Sequence, residues 1–390
     1  MAELLVGHAR EKITPEKPVH MMGYAARKEV SQGVHDDLWV NAVALAERDA
    51  ETIKGKIVLL ALDVAALDLD KVARLKEVIS AEAGLGAAQI LVNTSHTHAG
   101  PMVAERPGLV FEAAYFEEMV QRASLAVQGA LGDLHSAELA VGAASVDIGC
   151  NRRARTPEGQ VVIGVNPEGP RLAEVTIWRF SRQQAPDILL FSLPIHGTVL
   201  GADNLFLSAE WMGAAVRKIE EALPGVRAIF LQGCAGDQNP YREERTFSRV
   251  EEHGEAVSRA VQEALPRLEK VVPLPLVNVA KSMLLPLAGG GVQPVPIHGF
   301  RLGEALCVGL GGEAFVEYAL YTREQAQAKS TLVLGYTDGS VTYLPTENAF
   351  LEGGYEPNAY QYFPIGRPWD PNIEQIIKEE IADLLMRLHD

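Results

Sequence analysis

The sequence predicts a mixed α/β fold, β-sheets flanked by helices, with a metal site at the C-terminal ends of strands. Two observations carry this: short Val/Ile/Leu runs alternate with helix-period segments, and ionisable residues recur just past the ends of those runs. The first buried strand is Ile57 to Leu62, ending on Asp63, and a helix follows over Lys71 to Ala83. Strand Gln89 to Asn93 precedes a loop and a helix whose apolar face is Phe116, Met119, Val120, Ala123, Val127 and Ala130. Ile188 to Leu193 is the next strand. Ser208 is the expected N-cap of a helix through Ala222, which Pro224-Gly225 ends before strand Ala228 to Leu231. Val250, Val257, Val261 and Leu265 mark another helix face. Strand Ala305 to Leu310 leads into a helix from Ala314 to about Ala328. Asp338-Gly339 between Leu332 to Thr337 and Val341 to Leu344 is a hairpin signal. Glu352 to Pro371, rich in Gly, Pro and Tyr, reads as an ordered loop over a site, and Ile373 to Leu388 as a closing amphipathic helix. No repeat or low-complexity tract divides the chain, so one catalytic domain over residues 1–390 is expected.

With 35 Lys+Arg against 51 Asp+Glu, the net charge is −16, and no basic run offers a footprint for nucleic acid. No apolar stretch has the length of a membrane span, so integral membrane contact is not expected. Cys150, Cys234 and Cys307 are odd in number and contain no Cys-x-x-Cys pair, which excludes a thiolate metal site and suits a reducing compartment. The N-terminus has no basic segment leading into an apolar one, so the expected location is cytoplasmic.

The sharpest motif is Asn93-Thr94-Ser95-His96-Thr97-His98-Ala99-Gly100-Pro101, a His-x-His where a buried strand runs into a turn. In extended backbone both imidazoles point to one side, placing two nitrogens on one metal or one on metal and one on substrate. His196 follows Phe191 to Ile195; Asp237 and Asn239 follow Ile229 to Leu231; Glu313 follows Leu306 to Leu310 through two glycines. Four such placements favour a shared cleft, since open α/β sheets collect ligands at strand C-termini. His, His and Glu suit zinc. A zincin would need His-Glu-x-x-His and a zinc nucleobase deaminase Pro-Cys-x-x-Cys; neither occurs. A two-metal phosphoesterase would have to be built from His96, His98, Asp237 and Asn239, and an amidohydrolase barrel from His196 and His253, the latter inside a helical pattern. Asp63, His35 and Asp36 are set aside as strand-end cap or turn residues.

These residues resemble the N-terminal catalytic domain of neutral/alkaline (non-lysosomal) ceramidases, zinc-dependent amide hydrolases. The similarity runs in order through Val6-Gly7, Ile13-Thr14-Pro15, Met21-Met22-Gly23-Tyr24-Ala25 and Ser95 to Pro101. It continues through Asn151-Arg152, His196-Gly197-Thr198, Gly236-Asp237, Gly312-Glu313 with Phe315, Tyr343 with Thr346-Glu347, and Tyr355-Glu356. Carried over, it implies one Zn2+ per chain held by His96, His196, Glu313 and Tyr343. It also implies that His98, Arg152 and Tyr355 face the substrate and its scissile carbonyl, with Asp237 and Asn239 beside them. Zinc acidifies bound water, His98 exchanges a proton, Tyr355 donates to a developing oxyanion, and Arg152 pairs with a substrate carboxylate or hydroxyl.

One departure stands out. Where ceramidases carry Ser, this chain has Asn239 in Gly236-Asp237-Gln238-Asn239-Pro240, and an amide is not a hydroxyl nucleophile. The expected function is therefore amide (N-acyl) bond hydrolysis by metal-activated water on a small N-acyl or related compound. The alternatives are an esterase, lactonase or deacetylase acting on a small sugar-derived or soluble substrate, and a non-catalytic zinc-containing ligand-binding protein. The C-terminal immunoglobulin-like module of full ceramidases is expected to be missing, and homo-oligomerisation is left open.

Overall fold

The computed structural model describes residues 2–389. Its main sheet uses strands β1 (Ala2–Lys12), β2 (Trp39–Asp49), β3 (Thr52–Leu62), β4 (Ile90–Thr94), β5 (His135–Ser145), β6 (Glu174–Arg182), β7 (Asp187–Leu193) and β8 (Val226–Gln232). Their order across the sheet is β8-β7-β6-β5-β1-β2-β3-β4, with the short strand Glu269–Val271 pairing β5. Only the outer pairs β3/β4 and β7/β8 are parallel; the six strands from β7 to β3 pair antiparallel with one another. Each parallel pair needs a crossover, supplied by α1 (Leu69–Ala83) and by α3 (Glu210–Ala222). Helices α2 (Ala113–Gly132) and α4 (Phe247–Ala264) follow the outer strands.

A second sheet, β9 (Leu276–Pro286), β10 (Val292–Leu302), β11 (Ala305–Leu310) and β12 (Ser330–Leu334), runs in that order, with α5 (Val316–Gln325) between β11 and β12 and α6 (Ile373–His389) at the end of the chain. Alternation explains the burial of both sheet faces. Val58, Leu60 and Leu62 of β3 pack with α1 and α2, whereas Ile57 and Leu59 pack toward Phe300 and Leu302 of β10 and Leu332 and Leu334 of β12. Leu189 and Phe191 of β7 meet Trp211 and Ala215 of α3. On its other side the second sheet buries Ile297, Leu306 and Val308 against Ile377, Ile381 and Leu384 of α6. The layers are thus helices, large sheet, small sheet, helix.

The outer strands β4 and β8 are clasped at their C-terminal ends by one side chain. Asn93 accepts from Gln232 N at 2.8 Å and donates through Nδ2 to Gln232 O at 3.3 Å and Gly335 O at 2.8 Å. The clasp draws together strand ends that the path of the sheet sets farthest apart.

Two local expectations are corrected. Ser208 precedes the cap: α3 starts after Ala209, and Ser208 Oγ accepts from Glu210 N at 2.9 Å. The predicted hairpin around Asp338-Gly339 does not form. β12 pairs in parallel with β11, and Tyr343–Leu344 pairs in parallel with Glu313–Ala314. Asp338 and Gly339 have φ of 55° and 119°, as a tight turn requires, but the Asp338 carboxylate is committed to Lys76, His298 and Val92 N, holding the turn on neighbouring elements. The Glu352 to Pro371 segment is ordered by a short helix, Glu347–Glu352, and a 3-10 turn, Glu356–Tyr362.

Candidate metal centre and substrate cavity

His96 leaves β4 through Ser95, whose N donates to Leu62 O, and its own N donates to Val64 O at 3.1 Å. Its φ is 60°, so the His-x-His is a turn and not the extended pair expected from the sequence. The rings meet nonetheless, with His96 Nε2 and His98 Nε2 3.1 Å apart. His196 leaves β7 through Pro194-Ile195, and the bridge between Thr97 and Gly197 fastens the two histidine turns together. Glu313 and Tyr343 are register partners in the parallel ribbon, so that ladder sets carboxylate and phenol side by side. His96, His196, Glu313 and Tyr343 are all buried.

The proton positions follow from the carbonyls. His96 Nδ1 lies 2.6 Å from Ala65 O and His196 Nδ1 lies 2.6 Å from Ala235 O, so both Nδ1 atoms donate, and in the neutral ring it is Nε2 that carries the lone pair. Those lone pairs face Glu313 Oε2, 3.4 Å from each. Burial lowers the His196 pKa to about 3, with the Arg152 charge adding to it, and burial beside His96 and His196 puts His98 well below its usual range. Imidazole nitrogens and a carboxylate oxygen converge in this buried site, where Arg152 Nη1, 3.2 Å from His196 Nε2, and the Tyr336 hydroxyl, 3.5 Å from Glu313 Oε2, are the donors that face them. A cation satisfies such a set, and the donor types suit zinc. The three imidazoles of His96, His98 and His196 can all reach one ion, since their ligand atoms lie within 4.8 Å of one another.

Arg152 sits on the strand Gly149–Arg155 and is buried. Its Nη1 is 3.2 Å from His196 Nε2 and 3.5 Å from Asn239 Oδ1, and its guanidinium faces the rings of Tyr343 at 5.3 Å and Tyr355 at 5.8 Å. Asn239 Oδ1 also accepts from Thr198 at 3.5 Å. Asp237 stands one layer behind: its carboxylate accepts from Asn151 Nδ2 at 2.6 Å and from Val316 N, the first residue of α5, at 2.9 Å, while its carbonyl accepts from Arg152 N. Burial raises its pKa to about 6. Tyr355 is 37% exposed, stacks near Tyr362 and stands at the mouth of the site.

A cavity of about 290 Å³ is lined by His96, His98, Glu313, Tyr343 and Tyr355, together with Met22, Met102, Leu109 and Phe363, whereas His196, Arg152, Asp237 and Asn239 lie behind its wall. Gly23 forms part of its wall with φ 113°, and a Cβ there would stand 2.5 Å from the His98 ring, so only glycine allows this approach. Asp63, His35 and Asp36 line a different cavity of about 440 Å³. Asp63 accepts from Trp39 N, and Asp36 from Ser208 Oγ and Ala209 N, so both act as turn and cap residues. His253 lies in α4 and bonds Tyr241 O, away from the cluster.

Two residues were given no site role by the sequence reading. Glu356 is buried and bridges Arg152 Nε at 2.8 Å and Arg153 Nη1 at 2.5 Å. Tyr336 stacks on the His96 ring at 4.1 Å and points its hydroxyl at Glu313. Glu356 was foreshadowed by the adjacent arginines, which need a carboxylate if buried; nothing local signals Tyr336.

Residues 4–243 match the family model for the neutral/alkaline non-lysosomal ceramidase N-terminal region. The fold is similar to that of the neutral ceramidase from Pseudomonas aeruginosa, with TM-score 0.83 and 17% identity over 100% of this chain and 75% of that one. It is equally similar to a ceramidase complexed with C2, with TM-score 0.84 and 16% identity over 100% of this chain and 76% of that one. A comparison with curated proteins finds no match. A family match over well more than half of the chain, and a fold that agrees along its whole length, lead to one conclusion: the chain belongs to the neutral/alkaline non-lysosomal ceramidase family.

Proposed function

We propose that the protein is a zinc-dependent hydrolase that cleaves an amide (N-acyl) bond. The observation that carries this is the convergence of two Nδ1-anchored imidazoles and the Glu313 carboxylate beside a cavity whose other walls are mostly apolar and aromatic, with Arg106 the one further charged residue among them. His96, His196, Glu313 and Tyr343 would hold the ion. When bound there, zinc supplies Lewis acidity, polarising a carbonyl and acidifying water.

The remaining chemistry falls to the protein. His98, kept neutral by burial, accepts at a ring nitrogen the proton that the attacking water gives up as its oxygen bonds the carbonyl carbon, and passes it to the amine nitrogen as the C–N bond breaks; its Nδ1 has no partner among the described residues. The Tyr355 hydroxyl keeps its proton, its pKa pushed up to about 12 by burial and by Glu313, so it can donate to the carbonyl oxygen as charge develops. Arg152, fixed by Glu356, presents a guanidinium to oxygen atoms of the substrate. Asn239 binds through its amide and forms no acyl-enzyme. Met22, Met102 and Leu109 offer an apolar wall to an acyl chain.

Metal analysis of the purified protein, with a His196→Ala variant, tests the metal part: zinc near one equivalent in wild type and loss of metal and turnover in the variant are expected. Wild type without zinc, or a variant as active as wild type, would sink it. A panel of matched amides and esters tests the bond, because the same centre also attacks esters; turnover of esters alone would move the assignment to an esterase.

A further inference from the structure

Tyr336 is a buried tyrosine whose hydroxyl makes a single polar contact among the described residues, 3.5 Å to Glu313 Oε2. That oxygen is the one 3.4 Å from both His96 Nε2 and His196 Nε2. The phenol ring lies over the His96 imidazole, centroids 4.1 Å apart and planes 30° from parallel, and edge-on to His196 at 6.3 Å. The backbone carrying it is unusual: φ is 51°, a left-handed conformation that an aromatic residue seldom adopts. The surroundings enforce it. Tyr336 N donates to Gly312 O at 2.9 Å, Tyr336 O accepts from Thr94 N, and the preceding Gly335 O is held by the Asn93 clasp. The residue therefore stands where β4, β12 and the Gly311-Gly312 turn meet, touching residues on either side of the centre.

A residue that only filled core would not need a hydroxyl aimed at a carboxylate, and it would not call for left-handed backbone. We infer that Tyr336 is a positioning residue of the metal centre: its ring sets the plane of His96 and its hydroxyl holds the Glu313 oxygen that faces both histidines. It acts through those two side chains and does not itself bind the ion. This rests on the zinc-centre assignment proposed above. Groups that orient metal ligands from behind typically change metal affinity by 10–100-fold.

The test uses the full chain, stripped of metal and titrated with Zn2+ against a chromophoric chelator, together with visible spectra of the Co2+-loaded forms. Y336F keeps the stack and loses the hydroxyl. Y336N loses the ring but suits left-handed backbone. The expected results are zinc affinity weakened several-fold in Y336F and about 10–100-fold in Y336N. The cobalt bands should shift in Y336N and lie closer to wild type in Y336F, with thermal unfolding of metal-free Y336F matching wild type. Wild-type affinity and spectrum in Y336F overturn the hydroxyl's part, and the same result in Y336N overturns the ring's. Metal loss in Y336F as complete as in H196A overturns the inference from the other side, making Tyr336 a ligand. Failure of wild type to bind zinc removes the underlying assignment as well, and is distinguished by the wild-type titration alone.

Discussion

Substitution of Glu356 by Gln probes how the site is braced. Glu356 is 3% exposed and its carboxylate is shared by two guanidiniums, at 2.8 Å from Arg152 Nε and 2.5 Å from Arg153 Nη1. Removing one partner of a buried ion pair costs about 3–5 kcal/mol, because the charge left behind remains desolvated. Glutamine retains an acceptor for one arginine, and Arg153 also has Glu352 and Gly353 O, which brings the expected loss to about 2–4 kcal/mol. The matched control is Lys270→Gln. Its partner Glu138 is equally close, at 2.6 Å, but the two side chains are 76% and 68% exposed, so the loss should stay within about 1 kcal/mol. Urea unfolding at pH 7 compares the three proteins. Because Arg152 loses its anchor beside His196 and Asn239, kcat/KM on an N-acyl substrate should also fall by about tenfold or more. Glu356→Gln as stable as Lys270→Gln, with unchanged kcat/KM, would refute the idea that a desolvated carboxylate braces the site.

Two further outcomes are expected. Burial raises the Asp63 pKa from 3.8 to about 7, so the folded chain binds a proton there that the unfolded chain has released; its contribution to stability falls as pH rises from about 4 to about 7. Asp63→Asn, which keeps the acceptor for Trp39 N, should therefore gain in melting temperature relative to wild type between pH 5 and pH 8, and a pH-independent difference would contradict it. Gly23→Ala should lower kcat/KM by about tenfold or more, since a Cβ 2.5 Å from the His98 ring must displace it; activity at the wild-type level would show that the loop yields instead.

The strands that were legible are those buried on both faces. Ile57 to Leu62 and Ala228 to Leu231 are unbroken apolar runs, and Ile188 to Leu193 is broken only by Ser192, because one face meets helices and the other the second sheet. Long antiparallel strands such as Trp39–Asp49 and His135–Ser145 escaped notice, because polar residues interrupt them and parts of them face solvent. His196 and Glu313 could be picked out by position, each just past an apolar run. The hairpin expectation failed because turn chemistry at Asp338-Gly339 is local, whereas the pairing of Tyr343 with Glu313 is decided by segments 30 residues apart that pack side by side. Tyr336 was read as a strand residue; its left-handed backbone comes from contacts with Thr94 and Gly312 that no window of sequence contains.

The Asn93 clasp bears on how the protein is made. It joins residues 139 positions apart, and the centre beside it draws on residues as distant as His96 and Tyr343. Contacts of such separation form slowly, since loop-closure entropy must be met before they reward the chain. A ribosome-bound chain that has released β4 but not β8 exposes an unclasped parallel strand and a histidine turn without its partners. On the metal-centre reading proposed above, loading falls at the end of folding: a nascent chain cannot trap an ion with His96 and His98 alone in the geometry of the finished centre, and zinc uptake would report completed folding rather than begin it.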